Sequence, residues 1–327
     1  MADSEPLLSD EAVPLPSRLA GVGAAGFLST ALAVIISMRP KQWTKNVLVF
    51  MAFIFSLGET WHLSEPEGWL PLIGKATATF ALFCMVCGAD YLINDVRDRE
   101  SDQLHPRKRT RPIAAGRLSV RTALIAAAFL IVVGLAGGFA LEWRVGAVIA
   151  VYIAMMLAYS YYLKHVVLLD LMIIATGFVL RAMAGALVID VPISPWLYAV
   201  TALGALFLAI NKRRAEIVLL KEDANEHRPI LEEYTTPLLD QMASIVTAST
   251  LVAYGLYTFT APALPANHSM MLTIPFVLYG IFRYLYLVHA RGEGGSPEEV
   301  LLKDMPLMAD ILLWVLTSGI LLAVARE

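Results

Sequence analysis

The sequence predicts an all-α integral membrane protein: a bundle of about nine transmembrane helices with an additional apolar helix at the N-terminus. Three observations carry this. Of 327 residues, 58% are hydrophobic and 16% charged, against roughly 25% charged in soluble domains. The apolar residues fall in uninterrupted runs near the ~20 residues that an α-helix needs to cross the hydrocarbon core. The basic residues collect in alternate loops between those runs. A soluble enzyme and a disordered chain are excluded, and a net charge of −3 gives no reason to expect nucleic acid as a partner.

Residues 1–18 are polar, acidic and proline-containing, with no basic leader, and read as a disordered tail. Residues 19–327 read as a single polytopic membrane catalytic domain. The uncharged run Leu19 to Met38 stops at Arg39 and Pro40; hydropathy leaves open whether it spans the bilayer or lies along it. Nine further spans follow at 46–58, 70–94, 121–140, 145–163, 166–189, 195–211, 240–261, 271–289 and 307–325. The first is short unless its helix begins near Trp43. The only two cysteines, Cys84 and Cys87, sit in an apolar stretch without a second Cys or His cluster and read as packing residues.

Lys and Arg accumulate in cytoplasmic loops. Taking alternate loops from Arg39 onward collects 19 of the 25 basic residues, and the opposite set holds only Arg144 and Arg326. The partition places the long polar loops, 95–120 and 212–239, on the cytoplasmic side of a cell membrane. No residue-level repeat is visible.

Chemistry concentrates where the second span ends. Asn94, Asp98 and Asp102 step by 40° on an α-helix and share a face, with Asp95 about 60° from Asp98. Clustered carboxylates repel unless a cation lies between them. Hard oxygens with an Asn carbonyl suit Mg²⁺, which is held by a few carboxylates plus substrate phosphates. A solvated acidic helix end would carry the same residues, but Asp90, inside the apolar run, argues for a cavity. Next comes a basic stretch, His105 to Gly116, with Arg107, Lys108, Arg109 and Arg111 between two prolines. Loop position alone explains basic residues; it does not explain their abutment on the carboxylates. That arrangement fits a metal–pyrophosphate ligand gripped from two flanks.

The pattern Asn94-Asp95-x-x-Asp98-x-x-x-Asp102 resembles the UbiA superfamily of intramembrane prenyltransferases. Further stretches narrow the resemblance: Arg39 to Asn46, Asn94 to Gly116, Tyr159 to His165, Arg181 to Gly185, and Lys212 to Glu216. Together they are similar to its decaprenyl-phosphate phosphoribosyltransferase branch, from about residue 37 onward. In quinone-type members a second acidic motif follows the sixth span. Here that segment reads Asn211, Lys212, Arg213, Arg214, Ala215, Glu216, and its basic character points to a second anionic substrate. Asp90 departs from the pattern, which expects a small or apolar residue there.

The resemblance implies a UbiA-type bundle that moves 5-phosphoribosyl from phosphoribosyl pyrophosphate to a long-chain polyprenyl phosphate and releases diphosphate. It implies Mg²⁺ held by Asn94 and Asp98, with Asp95 and Asp102 in or near its coordination shell. Tyr91 is placed to bond the sugar phosphate. Lys45, Lys108 and Lys164 are the expected phosphate donors, supported by Lys41, Arg39 and Arg111. Tyr159, Lys212 and Arg213 join the substrate-binding set. Asp95 or Glu216 would face the cationic, sugar-like transition state. Arg181, about four turns from Lys164 within the fifth span, needs a polar cavity, an anionic ligand, or a carboxylate partner such as Asp170 or Asp90. A prenyltransferase using an isoprenyl diphosphate donor and a lipid-phosphate transporter are the alternatives. Membrane lipids are the surrounding partners, and oligomeric state, a homo-oligomer included, stays open.

Overall fold

A computed structural model describes residues 24–105, 108–192, 194–222, 229–261, 264–295 and 297–324. The acidic tail 1–18, Arg107 and the centre of the 212–239 segment lie outside these residues. The described chain is a helical bundle without a sheet. Its elements are α1 (Ala24–Ser37), a 3₁₀ helix (Pro40–Phe50) running into α2 (Met51–Phe55), α3 (Pro66–Arg97) and α4 (Arg99–Leu104). The hairpin α5 (Val120–Leu141) and α6 (Trp143–Tyr161) follows, then α7 (Leu169–Val188), α8 (Pro195–Glu222) and α9 (Thr236–Thr260). A 3₁₀ turn (Ser269–Thr273) leads into α10 (Ile274–Ala290), and α11 (Pro297–Lys303) and α12 (Met305–Val324) complete the bundle.

Eight of these elements are long and apolar enough to cross a membrane: α3, α5, α6, α7, α8, α9, α10 with its leading turn, and α12. Their ends follow local chemistry. Ser119 caps α5 by accepting from the Thr122 N–H at 3.1 Å, and Thr235 caps α9 by accepting from Leu238 at 3.3 Å. Prolines occupy the first turns of α3, α9 and α10, where no intrahelical N–H is needed.

The remaining expected span, 46–58, takes a different form. Pro40 to Phe50 is wound as a 3₁₀ helix. At ~2.0 Å per residue it covers about 22 Å, and the five α-helical residues after it add about 7 Å. Together they match the ~30 Å hydrocarbon thickness. The two ends of this segment lie at the two ends of α3: Arg39 is ion-paired with Asp95 at the end of α3, while Trp61 meets Trp69, near the start of α3, in a tilted contact at 6.4 Å. Residues 40–55 thus have the reach of a crossing in fewer residues than an α-helix would need, but stand outside the eight apolar helices above. Such tight winding survives only when covered by protein; the 3₁₀ helix packs between α3 and α7, with Asn46 and Val49 buried.

Gly185 is what lets α7 approach it. A Cβ at position 185 would stand 1.9 Å from the Val49 carbonyl oxygen, with no side chain able to yield. Gly185→Ala is expected to lower the unfolding temperature in detergent markedly, at a cost of about 3 kcal/mol or more. An unchanged melting curve would mean the two backbones do not meet this closely.

α8 also runs further than its apolar stretch. Helix continues through Lys212 to Glu222, because the segment is built of strong helix formers. Basic residues expected in a loop therefore sit on a helix, and several face inward.

Candidate active site

The second span ends differently from a continuous helix. α3 stops at Arg97, Asp98 occupies the junction, and α4 starts at Arg99. Across this junction the Asp98 and Asp102 N–H groups still bond to the Asn94 and Asp98 carbonyls, at 2.8 Å each. Asp102 and Asp95, seven residues apart and so within about 20° of one another on a helix, present their carboxylates to one arginine. The two carboxylates are 3% and 2% exposed and both meet Arg111, at 2.7 and 3.2 Å. Arg39 reaches Asp95 at 2.5 Å and lies 4.6 Å above the Tyr91 ring. These ion pairs pin the start of the 3₁₀ helix and the segment before α5 to the end of α3. Asp98 is left outside the arginine network, 3.9 Å from Lys164, which arrives on the turn between α6 and α7.

A cavity of about 800 Å³ opens beside α3. From the expected site it gathers Lys45, Tyr91, Asn94, Tyr159, Arg181, Lys212, Arg213 and Glu216. Lys41 and Lys108 are exposed and do not line it, nor do Asp95, Asp98, Asp102, Arg111 or Lys164. Most of its wall is apolar, including Leu48, Met51, Phe55, Met156, Ile174 and Leu208. Cationic and amide groups at one part of a long apolar chamber can hold a charged headgroup while the rest houses a hydrocarbon chain.

Two arginines in the chamber are already engaged. Arg181 donates to Asn46 Oδ1 (2.6 Å), the Gly177 carbonyl (2.6 Å), Tyr152 Oη (3.0 Å) and Cys87 Sγ (3.1 Å). Four of its five N–H groups are thus satisfied by protein, and neither Asp170 nor Asp90 is its partner. Cys84 accepts from the Asn46 amide at 3.2 Å. The two cysteines are free and buried, as expected of packing residues, yet both also serve this polar network. Arg213 is buried between Asp170 and Glu216, each at 2.6 Å. Tyr234 donates to the second Asp170 oxygen at 2.6 Å and accepts from the Leu168 N–H at 2.8 Å. Burial and the Asp170 carboxylate push the Tyr234 phenol up to about 12, so it stays a donor. Asp170 and Tyr234 were not legible as site residues, since their partner Arg213 lies 43 residues from Asp170. Asp90 and Asp310, both buried, also line the chamber.

A model of the UbiA prenyltransferase family matches residues 47–299. The chain belongs to this family. Among UbiA relatives, it is 37% identical over 295 residues to a decaprenyl-phosphate phosphoribosyltransferase of Mycolicibacterium smegmatis, covering 88% of this chain and 91% of that protein. It is 35% identical over 286 residues to a decaprenyl-phosphate phosphoribosyltransferase of Mycobacterium tuberculosis, covering 88% and 93%. The fold agrees with a UbiA homolog from Archaeoglobus fulgidus bound to DMAPP and Mg²⁺, at a TM-score of 0.67 and 17% identity over 89% of this chain and 99% of that one. The family match spans Asn94 to Asp102, whereas Arg39 to Asn46 precede it.

Among the described residues no three His, Cys, Asp or Glu side chains enclose an ion alone. Asn94 lines the chamber and Asp98 follows one turn later, while the buried Asp90 Oδ1 has no hydrogen-bond partner. Few protein oxygens, with the remainder left to phosphate and water, is how Mg²⁺ is held with a phosphorylated substrate. The donor set fits.

Proposed function

We propose that this chain transfers 5-phosphoribosyl from phosphoribosyl pyrophosphate to a long-chain polyprenyl phosphate, releasing diphosphate, with its site facing the cytoplasm. The relatives' names support the reaction class. The observation that carries it is Lys212 lining the chamber, in the segment where quinone-type members are expected to carry a second acidic motif. Cations on this wall favour an anionic second substrate over a neutral aromatic one. The abundance of Lys and Arg at the ends of α3 and α8 supports the cytoplasmic orientation.

In this reading the isoprenoid lies along the apolar walls and its phosphate meets Lys45 and Lys212. Lys164, beside Asp98, faces the donor's phosphates, with Lys41 and Lys108 adding positive charge outside the chamber. Tyr91 and Tyr159 supply hydroxyl bonds. A lipid phosphate oxygen forms a bond to ribose C1 while the bond from C1 to diphosphate breaks, and its electron pair leaves with diphosphate. The attacking phosphate is already ionised, so no strong general base is required. Asn94 and Asp98 would hold Mg²⁺. Bound there, Mg²⁺ offsets the charge that develops on the leaving group. Glu216, ion-paired with Arg213, supplies negative potential toward the sugar carbon. Asp95 and Asp102 act by fixing Arg39 and Arg111. Arg181, largely saturated, adds positive potential.

Purified protein, Mg²⁺, labelled phosphoribosyl pyrophosphate and a panel of polyprenyl phosphates should yield a labelled lipid only when cation is present. Consumption of a labelled prenyl diphosphate instead, with phosphoribosyl pyrophosphate untouched, would replace this reading with prenyl transfer. Liposome flux without product would replace it with transport.

A further inference from the structure

Asp90 departs from the family pattern and is 8% exposed within the apolar body of α3, where an uncompensated carboxylate is expensive. Its Oδ2 accepts a long bond, 3.4 Å, from the Asn94 amide nitrogen, and its Oδ1 has no partner among the described residues. The nearby cations do not pair with it: Arg39 goes to Asp95, and Arg181 to Asn46, Gly177, Cys87 and Tyr152. The buried Ser160 hydroxyl of α6 lies beside Asp90 and is, among the described residues, the one neutral donor besides Asn94 that acts on it. No cation of the described residues is bonded directly to this carboxylate.

Asp90, Asn94 and Asp98 stand four residues apart along α3. Each step turns the helix by 40° and advances it about 6 Å, so the three form one stripe. Asp90 and Asn94 both line the chamber. With its nitrogen turned to Asp90, Asn94 keeps its amide oxygen for another partner. Two hard oxygens then flank one turn of helix, while Asp95 and Asp102 are occupied by arginines.

We propose that Asp90 is a ligand of the divalent cation, paired with Asn94, and that it draws the ion about one turn deeper than the Asn94-to-Asp102 motif alone would place it. This deepens the reading above and rests on it for the identity of the diphosphate that shares the ion. Its own test needs no turnover. Mn²⁺ is titrated into the full-length protein in detergent, with and without inorganic diphosphate, and free Mn²⁺ is followed by its EPR signal. Asp90→Asn, isosteric and still able to accept from Asn94, is expected to weaken Mn²⁺ binding about 10-fold or more. Asn94→Leu reads the same pair without touching Asp90 and should do likewise. Wild-type affinity in Asp90→Asn would overturn the proposal, as would absence of Mn²⁺ binding to the unaltered protein. If Mn²⁺ binding falls in both variants but no phosphoribosyl lipid forms with the unaltered protein, the ion site stands and the substrate reading fails.

Discussion

Asp98→Ala is expected to reduce phosphoribosyl transfer by roughly 10²- to 10³-fold, the scale on which removing one preorganised electrostatic contact acts, while leaving the unfolding temperature close to that of the unaltered protein. The structure separates these two readouts. Of the three aspartates in the motif, Asp95 and Asp102 are buried and joined by Arg111, whereas Asp98 is partly exposed at the junction of α3 and α4. Its only ion-pair contact among the described residues is Lys164 at 3.9 Å, too long for a strong charge-assisted bond. Such a side chain contributes little to folding and is free to turn toward a cation and diphosphate. Asp102→Ala should behave oppositely, with a lowered melting temperature, because Arg111 loses its closest carboxylate. Transfer assays paired with thermal unfolding in detergent measure both. Turnover within twofold of normal in Asp98→Ala would remove this residue from the ion's coordination and leave Asp90 and Asn94 to hold it.

How far the sequence reached depended on whether the relevant physics was local. Eight long apolar runs became eight long helices, since burial in lipid leaves the backbone little alternative. The ninth expected span, 46–58, is not a long α-helix: a hydropathy window assumes α-helical rise, and Pro40 to Phe50 is wound as a 3₁₀ helix. Asp95 and Asp102, seven residues apart, fall near one helix face, but their spacing alone does not reveal that Arg111 closes over both. Charge was the least legible. Arg213 has the look of a phosphate donor in a basic segment, but Asp170 and Tyr234, distant in sequence, enclose it. Asp90 was conspicuous from the start, since a lone acid in an apolar run signals a cavity whatever surrounds it.

Arg181 shows the same limit from the other side, and its replacement is expected to be the most damaging to folding. Its depth in α7 announced a special environment, yet its acceptors are neutral groups drawn from three other elements: Asn46 on the 3₁₀ helix, Cys87 on α3 and Tyr152 on α6. No carboxylate pattern in the sequence points to them. The guanidinium therefore ties four segments together around one end of the chamber. Arg181→Met should strand several of these buried groups at once, each costing about 1–3 kcal/mol. Against a total stability of about 5–15 kcal/mol, that predicts a large fall in unfolding temperature or loss of monodisperse protein. Arg181→Lys should recover little of it, because a compact ammonium cannot span the fork that reaches Asn46, Gly177 and Tyr152 together. If instead Arg181→Lys kept the native melting temperature and raised only the KM for a phosphorylated substrate, Arg181 would be a ligand-binding residue whose bonds within the protein are incidental.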